Sequence, residues 1–173
     1  TVKPEVGYHP DGGLMIYFGT GKYFETDDKI VPSTPQVQSF YALRDLGSVL
    51  TAGRGKLQEQ TIDFEVSLIE HDFRARVTSD STVDYDSQEG WYMDLISPVN
   101  GAEGERVVTQ AALRGTEILF ITLVPEEDPC GLGGFSWVMN IDAISGKILA
   151  NSPFDINNDD KFDKFDLLKT LDI

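Results

Sequence analysis

Basic residues are scarce in this 173-residue chain: 14 Lys and Arg stand against 29 Asp and Glu, a formal net charge of −15. A nucleic-acid-binding surface needs excess cations to displace counterions from phosphates, so that class is excluded. Adsorption to an anionic membrane fails for the same reason. No apolar run approaches the ~18 residues that span a bilayer, and no basic-then-apolar leader opens the chain, so no direct membrane insertion is expected. Cysteine is nearly absent. Cys130 alone cannot supply the even set of a disulfide-stapled domain. It reads first as a buried apolar residue, with pairing to a cysteine outside this segment as the other reading. His9 and His71 are the only histidines, and neither sits in a nucleophile motif. Carboxylates are too numerous for any two to signify acid–base chemistry, so the chain is expected not to be an enzyme.

What the chain does have is core material: 40% hydrophobic residues, with ten Phe, six Tyr and two Trp, which excludes disorder. The apolar runs are short, β-branched or aromatic, and bounded by Gly, Pro, Asn or Asp, the pattern of strands. They are Leu14 to Phe18, Gln38 to Leu43, Phe64 to Ile69, Gly90 to Leu95, Arg106 to Leu113, Glu117 to Val124, Phe135 to Ile141 and Lys147 to Ala150. Arg114-Gly115-Thr116 joins two of them as a hairpin, and Asp142 to Lys147 places Asp and Gly at a second tight turn. Helical spacing is confined to Asp163 to Leu171, where Phe165, Leu168 and Leu171 recur at steps of three, and more weakly to Ser48 to Gln60. Asp80 to Gln88 reads as an acidic loop.

The fold class expected is therefore all-β, built of short antiparallel strands, with an acidic loop and a short C-terminal helix. Grouped strands suggest a β-propeller, and the turns QSFYALRD and NIDAISGK look like those of pyrroloquinoline-type propellers. At ~40–45 residues per blade, the chain would make about three or four blades, so a partial propeller is expected, with Gly53 to Ser87 as an insertion. No linker divides residues 1–173, which read as a single segment. Thr1 is not an initiator, and the segment is expected to come from a longer chain.

The densest chemistry lies in Asp155 to Asp166, DINNDDKFDKFD. Hard divalent cations take oxygen ligands, six to eight for Ca²⁺, and a tight loop must point alternate side chains inward to supply them. Asp155, Asn157 and Asp159 fall on positions one, three and five. Lys161 falls on position seven, where the backbone carbonyl is the ligand and the side chain is free to point away. Asp163 and Asp166 fall on positions nine and twelve, and Phe162 is placed to anchor the loop to the core. At ~5 Å spacing, each like-charge pair costs about 1 kcal/mol even in water-like dielectric, which a bound dication relieves. Asp160 occupies position six, where Gly is usual because φ is positive; Asp tolerates that region at a cost of ~1 kcal/mol. One Ca²⁺ site is expected, ahead of Mg²⁺, which prefers small rigid octahedra. A solvated acidic turn leading into a helix is the plainer alternative. FGTG and GLGGF lack a dinucleotide fingerprint and read as turns. Glu25, Asp27 and Asp28, and likewise Asp84, Asp86 and Glu89, could hold a second cation but read as solvated loops.

Six motifs in order carry a resemblance: YFGTGKY (Tyr17 to Tyr23), QSFYALRD (Gln38 to Asp45), GWYMDL (Gly90 to Leu95), GERVV (Gly104 to Val108), DPCGLGGFSWVMNIDAISG (Asp128 to Gly146) and FDINNDDKFD (Phe154 to Asp163). Together they are similar to the C-terminal domain of the PilY/PilC family of type IV pilus tip-associated adhesins and biogenesis factors. The likeness covers about Leu14 to Asp45 and Gly90 to Asp166. It implies a modified β-propeller at the bacterial cell surface, the pilus tip, the outer membrane or the periplasm. It implies pilins and minor pilins as partners, with a host or surface receptor beyond them. It also implies a calcium loop that modulates pilus extension and retraction. The family's loop pattern falls on Asp155, Asn157, Asp159, the Lys161 carbonyl and Asp163, with Asp160 in place of the family Gly. Two rival readings remain: a quinoprotein-like propeller enzyme, which fold analogy alone cannot supply with a cofactor pocket, and a dockerin-like module, for which only one loop copy is present.

Overall fold

The computed structural model describes residues 2–50, 53–68, 73–126, 133–155 and 159–162. Its strands are β1 (Glu5–Tyr8), β2 (Leu14–Gly19), β3 (Ser39–Asp45), β4 (Gln58–Gln60), β5 (Ile62–Leu68), β6 (Phe73–Thr78), β7 (Gly90–Asp94), β8 (Arg106–Val107), β9 (Ala112–Arg114), β10 (Glu117–Pro125) and β11 (Gly134–Asp142). Among the described residues only single 3-10 turns, Thr26–Lys29 and Gly53–Lys56, are helical. The chain is all-β, as its composition leads one to expect. The strands form a five-stranded sheet ordered β1-β2-β3-β7-β4, a four-stranded sheet in which β10 lies between β11 on one side and β8 and β9 on the other, and a β5–β6 hairpin. Among the described residues no sheet closes on itself, and every strand pairing is antiparallel except β4 with β7.

Alternation decides what is buried. In the five-stranded sheet, Met15, Tyr17, Phe40, Ala42, Trp91 and Met93 share the inner face. Ile118 and Phe120 of β10 and Met139 and Ile141 of β11 join them in one core. The Phe40 and Phe120 rings stack between the sheets at 3.9 Å, 8° from parallel. Gly19 permits the close approach of β8, because a Cβ there would stand 2.3 Å from that of Val107.

Several expectations fail for tertiary reasons. Arg106 to Leu113 is not one strand. Val107 pairs with Thr122 and Ala112 with Leu119, so five steps of this chain match three of β10, and the surplus bulges out between β8 and β9. Ser48 to Gln60 forms no α-helix in its described part, which holds only the single 3-10 turn Gly53–Lys56. Gln60 is buried, donating through Nε2 to the carbonyls of Ser81 and Ser145 at 2.7 Å each, which holds β4 extended beside β7. Lys147 to Ala150 forms no strand: after one hydrogen bond to each neighbour the segment turns aside. β1 and β6 are additions. β1 hides behind Gly7, whose missing Cβ makes room for Leu113 Cδ2, 2.4 Å from where it would sit. The expected helix at Asp163 to Leu171, Cys130 and His71 lie outside the described residues.

Candidate functional site

The acidic loop is reached through a tightly specified turn. At the end of β11, Asp142 Oδ1 accepts from the backbone N–H of Ile144 (3.1 Å) and Ser145 (2.7 Å) and from Ser145 Oγ (2.7 Å). Gly146 closes the turn at φ 73°, against the Trp91 ring. Trp91 Nε1 donates to the Ala143 carbonyl at 3.1 Å, tying the turn to the core. Further on, the buried Ser152 hydroxyl donates to the Phe154 carbonyl (2.8 Å) and accepts from its N–H (3.1 Å), setting the direction in which Asp155 leaves.

At Asp155 the chain coils on itself. Asp155 Oδ1 accepts from the N–H of Asp159 at 3.1 Å and Oδ2 from that of Asp160 at 3.0 Å, so position one faces positions five and six. Asp160 has φ 61°, the single positive value at a non-Gly residue among those described, at the position where such a loop must reverse. Asp159 Oδ1 accepts from the Lys161 N–H at 3.0 Å. The Lys161 side chain does not point clear of the loop: its ammonium stands 3.6 Å from Asp159 Oδ2, a positive charge against the carboxylate. Phe162 does not anchor the loop in the described core; it is 63% exposed. Asn157, Asp163 and Asp166 lie outside the described residues. Among the described residues no group of three or more His, Cys, Asp or Glu is gathered as a metal cluster.

The other acidic groups are accounted for as structure. Asp28 is buried and accepts the N–H groups of Phe24 (2.8 Å) and Glu25 (2.9 Å), with the Lys22 ammonium at 3.2 Å. Those backbone hydrogen bonds, then Lys22, lower its pKa from 3.8 to about 2. A lowered folded-state pKa contributes stability that is complete above the unfolded value and is lost as pH falls through the folded one. Wild type and Asp28→Asn should therefore differ in thermal midpoint near pH 6 and converge as pH drops from about 4 to about 2. A gap that persists unchanged to pH 2 would remove the carboxylate from the explanation. Asp84 likewise closes its own turn, accepting from Asp86 N–H (3.2 Å) and Ser87 Oγ (2.7 Å).

A buried ion triad lies outside the residues that the sequence pattern singles out. Arg76 on β6 donates from Nη1 and Nη2 to Glu105 at 2.7 and 2.8 Å, and from Nε to Glu65 at 2.7 Å. The side chains are 3% (Arg76), 1% (Glu105) and 10% (Glu65) exposed. Ser97 Oγ also donates to Glu65, and the guanidinium lies 3.9 Å from the Trp137 ring centre. Burial, then the charge of Glu65, pushes Glu103 above the ordinary carboxylate range, against a hydrogen bond from Asn100. One cue was available: a lone Arg in the otherwise apolar stretch Ala75 to Val77, cross-strand from Glu65.

No family model matches the sequence. The type IV pilus biogenesis factor PilY1 of Pseudomonas aeruginosa strain PAO1 is 32% identical over 173 residues, covering 90% of this chain and 15% of that protein. Two PilY1 homologs of Xylella fastidiosa are 34 and 36% identical, covering 82 and 84% of this chain and 9 and 11% of theirs. The crystal structure of the Pseudomonas aeruginosa PilY1 C-terminal domain is similar at a TM-score of 0.76 and 27% identity, over 90% of this chain and 33% of that one. The chain thus spans a small part of the relatives it matches, and they are named as pilus biogenesis factors rather than as enzymes.

Proposed function

This chain belongs to the PilY1 family of type IV pilus biogenesis factors, and from that premise we propose that it is a non-catalytic, calcium-binding segment of the C-terminal domain of such a factor. In this reading it works at the pilus and cell surface, with pilus components as partners, and tunes pilus extension, retraction and attachment. The observation that carries the calcium reading is the backbone at Asp155 and at Asp159 to Lys161. Position one already faces positions five and six, and position six already holds a positive φ despite being Asp. The donors are hard oxygens, the chemistry Ca²⁺ selects. Asp155, Asn157, Asp159, Asp163 and Asp166 would supply side chains and Lys161 its carbonyl. A bound dication supplies the positive charge that offsets the clustered carboxylates. Lys161 partly fills that role at Asp159, and its ammonium must give way when the loop loads.

The regulatory step is a population shift: calcium fixes Asp155 against Asp159 to Lys161, and the altered surface is what a pilus partner reads. Tb³⁺ luminescence and calorimetry on the 173-residue chain are expected to give one site, lost in both Asp155→Ala and Asp159→Ala. Amide exchange at 154–162 should slow with Ca²⁺. A silent titration of the wild type removes the calcium reading, and binding without any change in exchange removes the switch.

A further inference from the structure

Two strand edges, rather than two sheet faces, form opposite walls of a cavity among the described residues. Its volume is about 410 Å³; two walls are consecutive residues of β6, Arg74 to Thr78, and of β11, Ser136 to Ile141, and the chain's own segment from Ile148 to Asp155 lines the remaining side. Strand residues alternate between faces, so an unbroken run can line a cavity only when the backbone edge is turned toward it. Both edges are unpaired: among the described strands β6 bonds only to β5, and β11 only to β10. Natural proteins cover or blunt such edges, because an exposed row of N–H and C=O groups is a template for another strand.

The gap is one strand wide. At its closed end the Lys147 carbonyl accepts from Asp142 N–H, the last residue of β11, at 3.0 Å. The next residue, Ile148, donates to the Ser79 carbonyl, one residue past β6, at 3.3 Å. A single dipeptide therefore bridges both edges, as a middle strand would, before the chain turns aside along the mouth of the groove. At the other end Arg74 has no carboxylate partner among the described residues, its guanidinium lying 5.1 Å from the Phe135 ring centre. Trp137, which lines the groove and is 8% exposed, has an indole N–H with no acceptor among the described residues.

We propose that this groove is a β-addition site that takes an extended strand from a partner polypeptide, bonding β6 on one side and β11 on the other and merging the hairpin with the four-stranded sheet. The strand carries small apolar side chains at alternate positions, for the walls of Ala75, Val77, Val138 and Met139, and a carboxylate at the end that meets Arg74. Arg74, without a carboxylate partner among the described residues, favours a carboxylate at that end of the strand. Main-chain bonds supply the affinity and the side-chain pockets the selection. Phe154 and Asp155 of the acidic loop line one side of the groove, so the titration is run in EDTA, where strand binding is expected without calcium and the two readings fail separately.

The probe is a fluorescein-labelled heptapeptide of alternating valine and threonine with an aspartate at one end, titrated into the 173-residue chain by fluorescence anisotropy. Saturable binding is expected, with slower amide exchange at 74–78 and 136–141. N-methylation of alternate peptide amides removes two or three hydrogen bonds and should weaken binding by about tenfold or more. Arg74→Glu should weaken it by about tenfold, and Ala75→Trp should block the groove; the circular dichroism of both variants reports that they fold. Absence of binding, or binding indifferent to N-methylation and to Ala75→Trp, overturns the proposal. So do edge amides already slow to exchange without peptide, which would mean that the chain fills its own groove. Light scattering that finds a dimer abolished by Ala75→Trp reassigns the groove to a second copy.

Discussion

Arg76→Ala is expected to lower the unfolding free energy by about 3–5 kcal/mol, because it leaves Glu65 and Glu105 as buried charges without a counter-ion. The triad is nearly closed to solvent, and its partners come from separate places: Glu65 from β5, Arg76 from β6 and Glu105 from the approach to β8. Together with the Arg76–Trp137 contact it fastens the β5–β6 hairpin to the rest of the molecule. The loss should be measured by urea denaturation. The comparison that separates charge from packing replaces all three residues by apolar ones, Glu65→Leu, Arg76→Met and Glu105→Leu. That variant should lose far less, since desolvating a buried triad costs nearly as much as its mutual attraction returns. If Arg76→Ala costs less than about 1 kcal/mol, the triad is solvated in a way its geometry denies.

Trp91→Ala is expected to cost a similar amount, about 3–5 kcal/mol, which corresponds to a fall in the thermal midpoint of roughly 6–20 °C for a domain of this size. Trp91 is fully buried in the core beside Phe40. It also holds the Asp142–Gly146 turn through the Ala143 carbonyl, so truncation opens a cavity and frees the segment leading to Asp155. Trp91→Phe should recover much of the packing but not the hydrogen bond. Faster exchange at 142–148 in Trp91→Phe, with only a small loss of midpoint, is the signature of that second role. Were the turn to exchange no faster in either variant, the indole would serve only as core.

Legibility followed the range of the interactions. Alternation over five to nine residues made β2, β3, β7, β10 and β11 readable, because burying one face of a strand demands a local pattern. The Gly115 hairpin and the Asp142 turn were readable because positive φ and side-chain-to-backbone bonds restrict the residue types allowed. Position six of the acidic loop was predicted from spacing alone to need positive φ, and Asp160 has it. Arg106 to Leu113 was misread because its pattern is that of one strand, and only competition for the edge of β10 divides it. Lys147 to Ala150 failed in the same way. Its residues favour a strand, yet the chain departs after a single rung.

By itself, then, the amino-acid order determined the all-β class, the acidic character, the family and the carboxylate spacing at Asp155 to Asp166. Each of these is carried by composition or by residues close together in the chain. The tertiary structure alone decided the Glu65–Arg76–Glu105 triad, whose Arg76–Glu105 bonds span 29 residues, and the groove between β6 and β11. The physical reason is that an ion pair, or an unpaired edge, depends on which distant strands become neighbours. That adjacency is settled by the packing of whole sheets, and no local run of residues encodes it.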